Sequence, residues 1–260
     1  MLRGLHTAAS GMYAQARKTD MLTNNMANIN TPGYKEDQGA IRAFPEMLLH
    51  HVNSSNPTTN AREVGSINTG VYMQETLPRF IQGDLRETNK NTDLALTDIA
   101  GGTAFFSIEN NGEMKYTRNG SFTIDQEGTL TTAEGFPVLD ENGERILLTS
   151  DQFTVTANGV VEQDGMEIAR LGIAVTDNPS ALIQEGNGLF RTENNDALPI
   201  ADDALFSVSQ GFIEASNVDP SKAMTDMLTA YRAFEANQKV IQAYDKSMDK
   251  AVNEIGRVNG

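Results

Sequence analysis

The C-terminal segment carries the pattern that most limits what this chain can fold into. After Asp219-Pro220, the residues Met227, Phe234, Ile241, Met248 and Ile255 recur every seven positions. Met224, Tyr231 and Val252 hold companion positions, on a line that Gln238 and Asp245 interrupt. That period belongs to a helix face covered by another helix. Asp219 suits the N-cap and Pro220 the first turn, while Lys250 and Arg257 sit near the end, where cations favour the helix dipole. A helix over 220–257 is roughly 57 Å long at 1.5 Å per residue, longer than a small domain is wide. It needs a long partner.

The N-terminus offers one. Leu2, Leu5, Ala9, Met12, Ala16, Thr19, Thr23 and Met26 fall on steps of three and four, a thinner seam with Ala and Thr at half its positions. The segment ends in "NNMANINTPGYK", Asn24 to Lys35. Asparagine enters the left-handed region readily, Pro32 forbids helix continuation and Gly33 frees the chain to turn. A helix end thus accounts for Asn28, Asn30, Thr31, Pro32 and Gly33. It leaves Asn24 and Asn25, inside the helix, unexplained.

Between these ends the pattern changes. Asn-Gly occurs at 111–112, 119–120, 142–143, 158–159 and 187–188, and each is a tight-turn signal. Short alternating runs lie among them: "SFTID", "ILLTS", "FTVTA", "IARLGIAVT" and "ALFSVS". Residues 71–217 therefore read as a β-rich domain built of hairpins, as a barrel or a sandwich. Residues 31–70 read as a connecting loop segment, with a polar, irregular stretch from His50 to Glu63. The expected fold is α+β. Helices in 1–30 and 218–260 pair as a coiled-coil-like arm, and the β domain is inserted between them.

Charge follows the same division. Residues 1–60 carry five Lys/Arg against four Asp/Glu, and residues 216–260 carry six of each. The middle, 61–215, carries nine against 25. Such an acidic body argues against nucleic acid as a partner. Near-neutral ends and a strongly charged centre fit ends that pack and a middle that faces water. No run approaches the ~18 apolar residues of a membrane span, so no membrane insertion is expected. The first twenty residues contain no apolar h-region, so a cleavable secretory signal is not expected either, and the conventional reading is cytoplasmic.

No catalytic constellation stands out. With no cysteine, thiolate metal sites and thiol nucleophiles are excluded. No G-x-S-x-G elbow and no Gly-Lys of a P-loop occurs. His50 and His51 are adjacent and lack a third ligand. The acidic turns "IDQEG" and "LDENGE" miss the spacing of an EF-hand loop and fit hairpin turns better. No cofactor, metal or enzymatic activity is expected.

Several long motifs are similar to those of a known family. "NNMANINTPGYK" and "SNVDPSKAMTDMLTAYRAFEANQKVIQAYDKSMDKAVN" resemble the paired terminal signatures of bacterial flagellar rod and hook proteins. "FIQGDLRETNKNTDLAL", "YTRNGSFTIDQEGTLTTAEGFPVLDENGE" and "FIEASNVDP" resemble the distal-rod branch. The resemblance implies a structural subunit of the flagellar axial tube, with end helices inside and a β domain outside. It implies copies of the same chain and other axial proteins, of rod and hook, as partners. It also implies export through the flagellar type III apparatus to the basal body. In such a tube the seam residues Leu2, Leu5, Met12, Met26, Met224, Met227, Tyr231, Phe234, Ile241, Met248, Val252 and Ile255 are the expected assembly interface. Asn24, Asn25 and Asn28 are expected to set register there, because buried amides must find fixed partners. Asn30, Thr31, Pro32 and Gly33 redirect the chain. A proximal-rod or hook-type subunit stays open, as does a β-rich module binding, or hydrolysing, the cell wall.

Overall fold

The computed structural model describes residues 2–51, 62–99, 101–202 and 204–257. Helix α1 spans Leu2–Ala27 and helix α2 spans Pro220–Arg257, so α2 begins at the proline that suits a first turn. The chain divides into two units: residues 1–26, 38–76 and 220–260 form the first, and 27–37 with 77–219 the second.

In the first unit, α1 and α2 pass each other antiparallel. A Cβ built on Gly4 would overlap the Tyr244 hydroxyl, and one on Gly11 would lie 3.0 Å from the Asn237 amide nitrogen. The inner stripe of α1 is therefore Gly4, Ala8, Gly11, Leu22 and Asn25, with Ala14 beside it. It runs one position ahead of the line expected through Leu5 and Met12. On α2 the line of Met227, Phe234, Ile241 and Met248 is half-buried. Its companions are Ala223, Ala230, Asn237 and Tyr244, in place of Met224 and Tyr231, which lie on the exposed side. Glycine and alanine let two backbones approach closely, so the contact is set by small residues that a hydrophobicity count passes over.

Residues 31–70, read from sequence as a connecting loop segment, contain strands, one of which pairs with the start of the expected β domain. Ile41–Ala43 pairs antiparallel with Val71–Met73, and Met47–His51 with Arg62–Ile67. This ribbon belongs with the helices. Thr7 Oγ1 donates to the Thr69 carbonyl at 3.2 Å, and the Val71 N–H donates to Ser10 Oγ at 3.3 Å. The rest of the expected irregular stretch, 52–61, lies outside the described residues.

The second unit is β, as the Asn-Gly turns require, but it is neither one barrel nor a two-sheet sandwich. Its largest sheet has five antiparallel strands, in the order Ile173–Thr176, Thr103–Asn110, Glu113–Thr117, Leu189–Arg191, Ile183–Gln184. Two- and three-stranded ribbons complete the body. Along Thr103–Asn110 the side chains alternate. Ala104, Phe106 and Ile108 enter the main core with Leu94, Phe122, Leu130 and Val161. Phe105 enters a smaller cluster with Tyr116, Ala174, Leu182 and Phe190. Both faces of this strand are covered, so residues 103–108 are buried without a break.

Candidate assembly site

Two features bear on function: the outer faces of the terminal helices, and the place where the β body holds the chain that leads to them.

The interface residues expected from sequence do not share one environment. Leu5, Met12, Met26, Met227, Phe234, Ile241 and Met248 are half-buried in their own chain. Met224, Tyr231 and Val252 are 59%, 55% and 73% exposed. With Leu228, also exposed, Met224 and Tyr231 make an apolar stripe at i, i+4 and i+7 on the outer side of α2. The side chains of Leu2 and Ile255 lie outside the described ones. Among the asparagines, Asn24 is exposed, Asn25 buried and Asn28 half-buried.

The turn after α1 is built locally. The Thr31 N–H donates to the Asn28 carbonyl at 3.1 Å and its hydroxyl to Asn28 Oδ1 at 3.1 Å, while the Tyr34 N–H donates to the Thr31 carbonyl. Asn30 is exposed, Thr31 and Pro32 are half-buried and Gly33 is buried. Gly33 sits at φ 68°, and a Cβ there would come within 2.4 Å of the Arg118 carbonyl. Gly33→Ala meets both obstacles. It is expected to cost ~2 kcal/mol or more, given ~1–2 kcal/mol for the left-handed backbone alone. A thermal melt of the body checks this, and an unchanged Tm would show that the turn is free to relax.

Directly after the turn, the chain reaches a set of buried charges that sequence reading missed. Glu214 is 1% exposed, Lys35 and Arg118 each 2%. Lys35 Nζ lies 2.6 Å from Glu214 Oε1 and Arg118 Nε 2.8 Å from Glu214 Oε2. Arg118 Nη1 reaches Asp98 Oδ1 at 2.8 Å and the Ala104 carbonyl at 2.6 Å. The Gly83 N–H donates to Glu214 Oε1 at 2.8 Å, and Lys35 Nζ also donates to the Ile81 carbonyl at 3.0 Å. Three of these residues stood inside the quoted motifs, as "GYK", "YTRNG" and "FIEASN", and Asp98 lies two residues past "NTDLAL". Nothing local marks them as partners.

Burial is the largest influence on Glu214 and pushes its pKa up, but the fields of Arg118 and Lys35 and the hydrogen bonds from Lys35 and Gly83 outweigh it. The carboxyl is held below its ordinary value of 4.5. Burial also pulls the Lys35 ammonium down, only partly offset by Glu214. For Arg118, Glu214 and Asp98 outweigh burial and raise the guanidinium. A depressed folded-state carboxyl contributes stability that is present above 4.5 and is lost as pH falls through the lower folded value. The acid-side fall in Tm should therefore be shallower in Glu214→Gln than in the unmodified chain. Parallel pH profiles would contradict this assignment.

The acidic turns are structural. Asp125 Oδ1 accepts from the Glu127 and Thr129 N–H groups, and Asp140 Oδ1 from those of Asn142 and Glu144. Among the described residues, no group of three His, Asp or Glu is placed to hold a metal ion. No helix among them is long and apolar enough to cross a membrane.

Comparison with known proteins agrees with the sequence motifs. Residues 5–35 match the model of the flagella basal body rod protein family, and 99–177 that of the flagellar hook protein FlgE/F/G D1 domain. Residues 209–254 match that of the flagellar basal body rod FlgEFG protein C-terminal region. The chain is 44% identical to the flagellar hook-basal body complex protein FlhO of Bacillus subtilis, over 99% of this chain and 100% of the relative. It is 30% identical to the flagellar basal-body rod protein FlgF of Caulobacter vibrioides, over the whole of both chains. It is 33% identical to the flagellar basal-body rod protein FlgG of Borreliella burgdorferi, over 97% of this chain and 98% of the relative.

Proposed function

Because the chain belongs to the flagellar basal-body rod and hook family, we propose that it is a structural subunit of the rod, built into the distal part of the shaft. Its terminal helices form the tube around the export channel, its β body stands outside, and the assembled shaft transmits torque. It reaches the basal body through the flagellar type III export apparatus. Its partners are further copies of itself and other axial proteins. The distal assignment rests on the resemblance of the body motifs to that branch.

The carrying observation is the second stripe on α2. One face of α2 turns towards α1, at Asn237 and Tyr244, where the seven-residue spacing of Gly4 and Gly11 fits a coiled-coil-like pairing. Met224, Leu228 and Tyr231 remain exposed on another face. A helix with two apolar faces fits a lattice in which each helix packs against neighbours on more than one side. Contacts that repeat head-to-tail without closing build a filament. Asn24 and Asn28 are the amides we assign to register in that lattice. Asn25, already buried in its own chain, stands as the third of the set.

The same reading implies weak helices in a free monomer. The buried apolar residues among the described ones are Ala8, Ala14 and Leu22 on α1 and Ala223 and Ala230 on α2. Ordering a residue costs ~1–2 kcal/mol of backbone entropy, which so few small side chains do not offset. Amides of 2–28 and 220–257 should exchange rapidly in the dilute monomer and slowly in assembled rods. Strong protection of both helices in the monomer would count against polymerisation-coupled folding. The reading itself is tested by gold-labelling an epitope on this chain in isolated basal bodies. Label is expected on the rod; label elsewhere, or none, overturns it.

A further inference from the structure

We propose that Lys35, Glu214, Arg118 and Asn217 form a single latch that ties the segments leading to all four chain crossings between the two units, so that they yield together. The chain passes between units at 26–27, 37–38, 76–77 and 219–220. Every residue of the latch lies in the second unit, on the stretches that adjoin those crossings or on the strand turn behind them.

Three segments meet there. Residues 33–36 lie between the first two crossings, 79–84 follow the third, and 214–217 precede the fourth. Each is held by the other two. The Gly33 N–H donates to the Glu214 carbonyl at 2.8 Å, and the Glu36 N–H to Asn217 Oδ1 at 2.6 Å. Asn217 Nδ2 donates to the carbonyls of Arg79 at 2.8 Å and Ile81 at 3.1 Å. The Arg79 N–H donates to the Glu36 carbonyl, and the Ala215 N–H to the Asp84 carbonyl, each at 2.8 Å. Lys35 Nζ joins Ile81 to Glu214, and Glu214 Oε1 takes the Gly83 N–H as well. Arg118 anchors the remaining carboxylate oxygen to the core strands through the Leu96 and Ala104 carbonyls.

A buried carboxylate shared by two cations and a backbone donor cannot release one of them without exposing the rest to an uncompensated charge. The segments therefore lose their contacts as a group. In a turning shaft, force that passes along the chain between the body and the terminal helices crosses these four covalent connections. The latch names the element that carries that load. The load role rests on the rod reading, whereas the latch does not.

Hydrogen exchange on the full chain tests the latch. The amides of Gly33, Glu36, Arg79, Gly83 and Ala215 should share one opening, with equal protection and equal denaturant dependence. Glu214→Gln should speed all five together, by about tenfold or more beyond any change at the core amides of Leu130 and Val138. Independent rates among the five in the unmodified chain would overturn the proposal, and that measurement stands even if the variant fails to fold. Acceleration confined to Gly83 would overturn it too. In cells carrying Glu214→Gln, rods should form in normal number and turn at normal speed under low load, but slow or break under high viscous load. Normal performance at high load, or a loss of rods, would overturn the load role. Absence of the chain from unmodified basal bodies would instead sink the rod reading and leave the exchange result standing.

Discussion

Replacing Arg118 with Met is expected to destabilise the β body by ~3–5 kcal/mol, the usual cost of removing one partner from a buried ionic set. At ~2–4 °C per kcal/mol for a domain of this size, Tm should fall by on the order of 10 °C. Methionine fills similar space, so the effect isolates charge. It leaves Glu214 with Lys35 and the Gly83 N–H, and removes the donor to the Leu96 and Ala104 carbonyls. The control is Arg145→Met. Arg145 makes a bidentate pair with Glu109 at 2.7 and 3.0 Å, a geometry as good as that of Arg118, but on the surface. Solvent screens such a pair, and its loss should leave the melt almost unchanged. Equal shifts in the two variants would mean that burial is not what gives the Arg118 set its importance.

The second large effect concerns assembly. Ile241→Asp should abolish rods, whereas Lys239→Asp on the same turn of α2 should leave them. Ile241 lies on the half-buried line with Met227, Phe234 and Met248, and Lys239 is exposed. A carboxylate closed in between helices costs several kcal/mol. A charge change at an open site costs about 0.5 kcal/mol or less. Electron microscopy of rods from strains secreting each variant provides the comparison. Similar rod yields would remove this face of α2 from the tube contact.

Much of the fold was legible because it is written locally. The Asn-Gly pair at 111–112 makes the hairpin between Thr103–Asn110 and Glu113–Thr117, with φ of 54° and 80°. The pair at 187–188 does the same between Ile183–Gln184 and Leu189–Arg191. The pair at 119–120 misled. Gly120 is there because its Cα approaches the Leu94 carbonyl too closely for any Cβ, a tertiary reason that no dipeptide reveals. "IARLGIAVT" looked like one strand and is two, broken where Gly172 passes against the backbone of Leu139 and Asp140. The α2 line of large apolar residues was visible, while its alanine companions and the glycines of α1 were not, since close approach leaves no hydrophobic signal. The latch was illegible for a different cause. Its charges, Lys35, Arg118 and Glu214, are far apart in the chain, and in an acidic body each reads as an ordinary solvated charge.

The central claim is that the terminal helices build the tube and the β body hangs outside it. A density map of the isolated rod, with this chain placed in it, tests that claim directly. The account predicts α1 and α2 lining the lumen, with Met224, Leu228 and Tyr231 covered by a neighbouring subunit and the 77–219 body on the outer surface. Helices standing free of their neighbours, or a body that lines the channel, would contradict it.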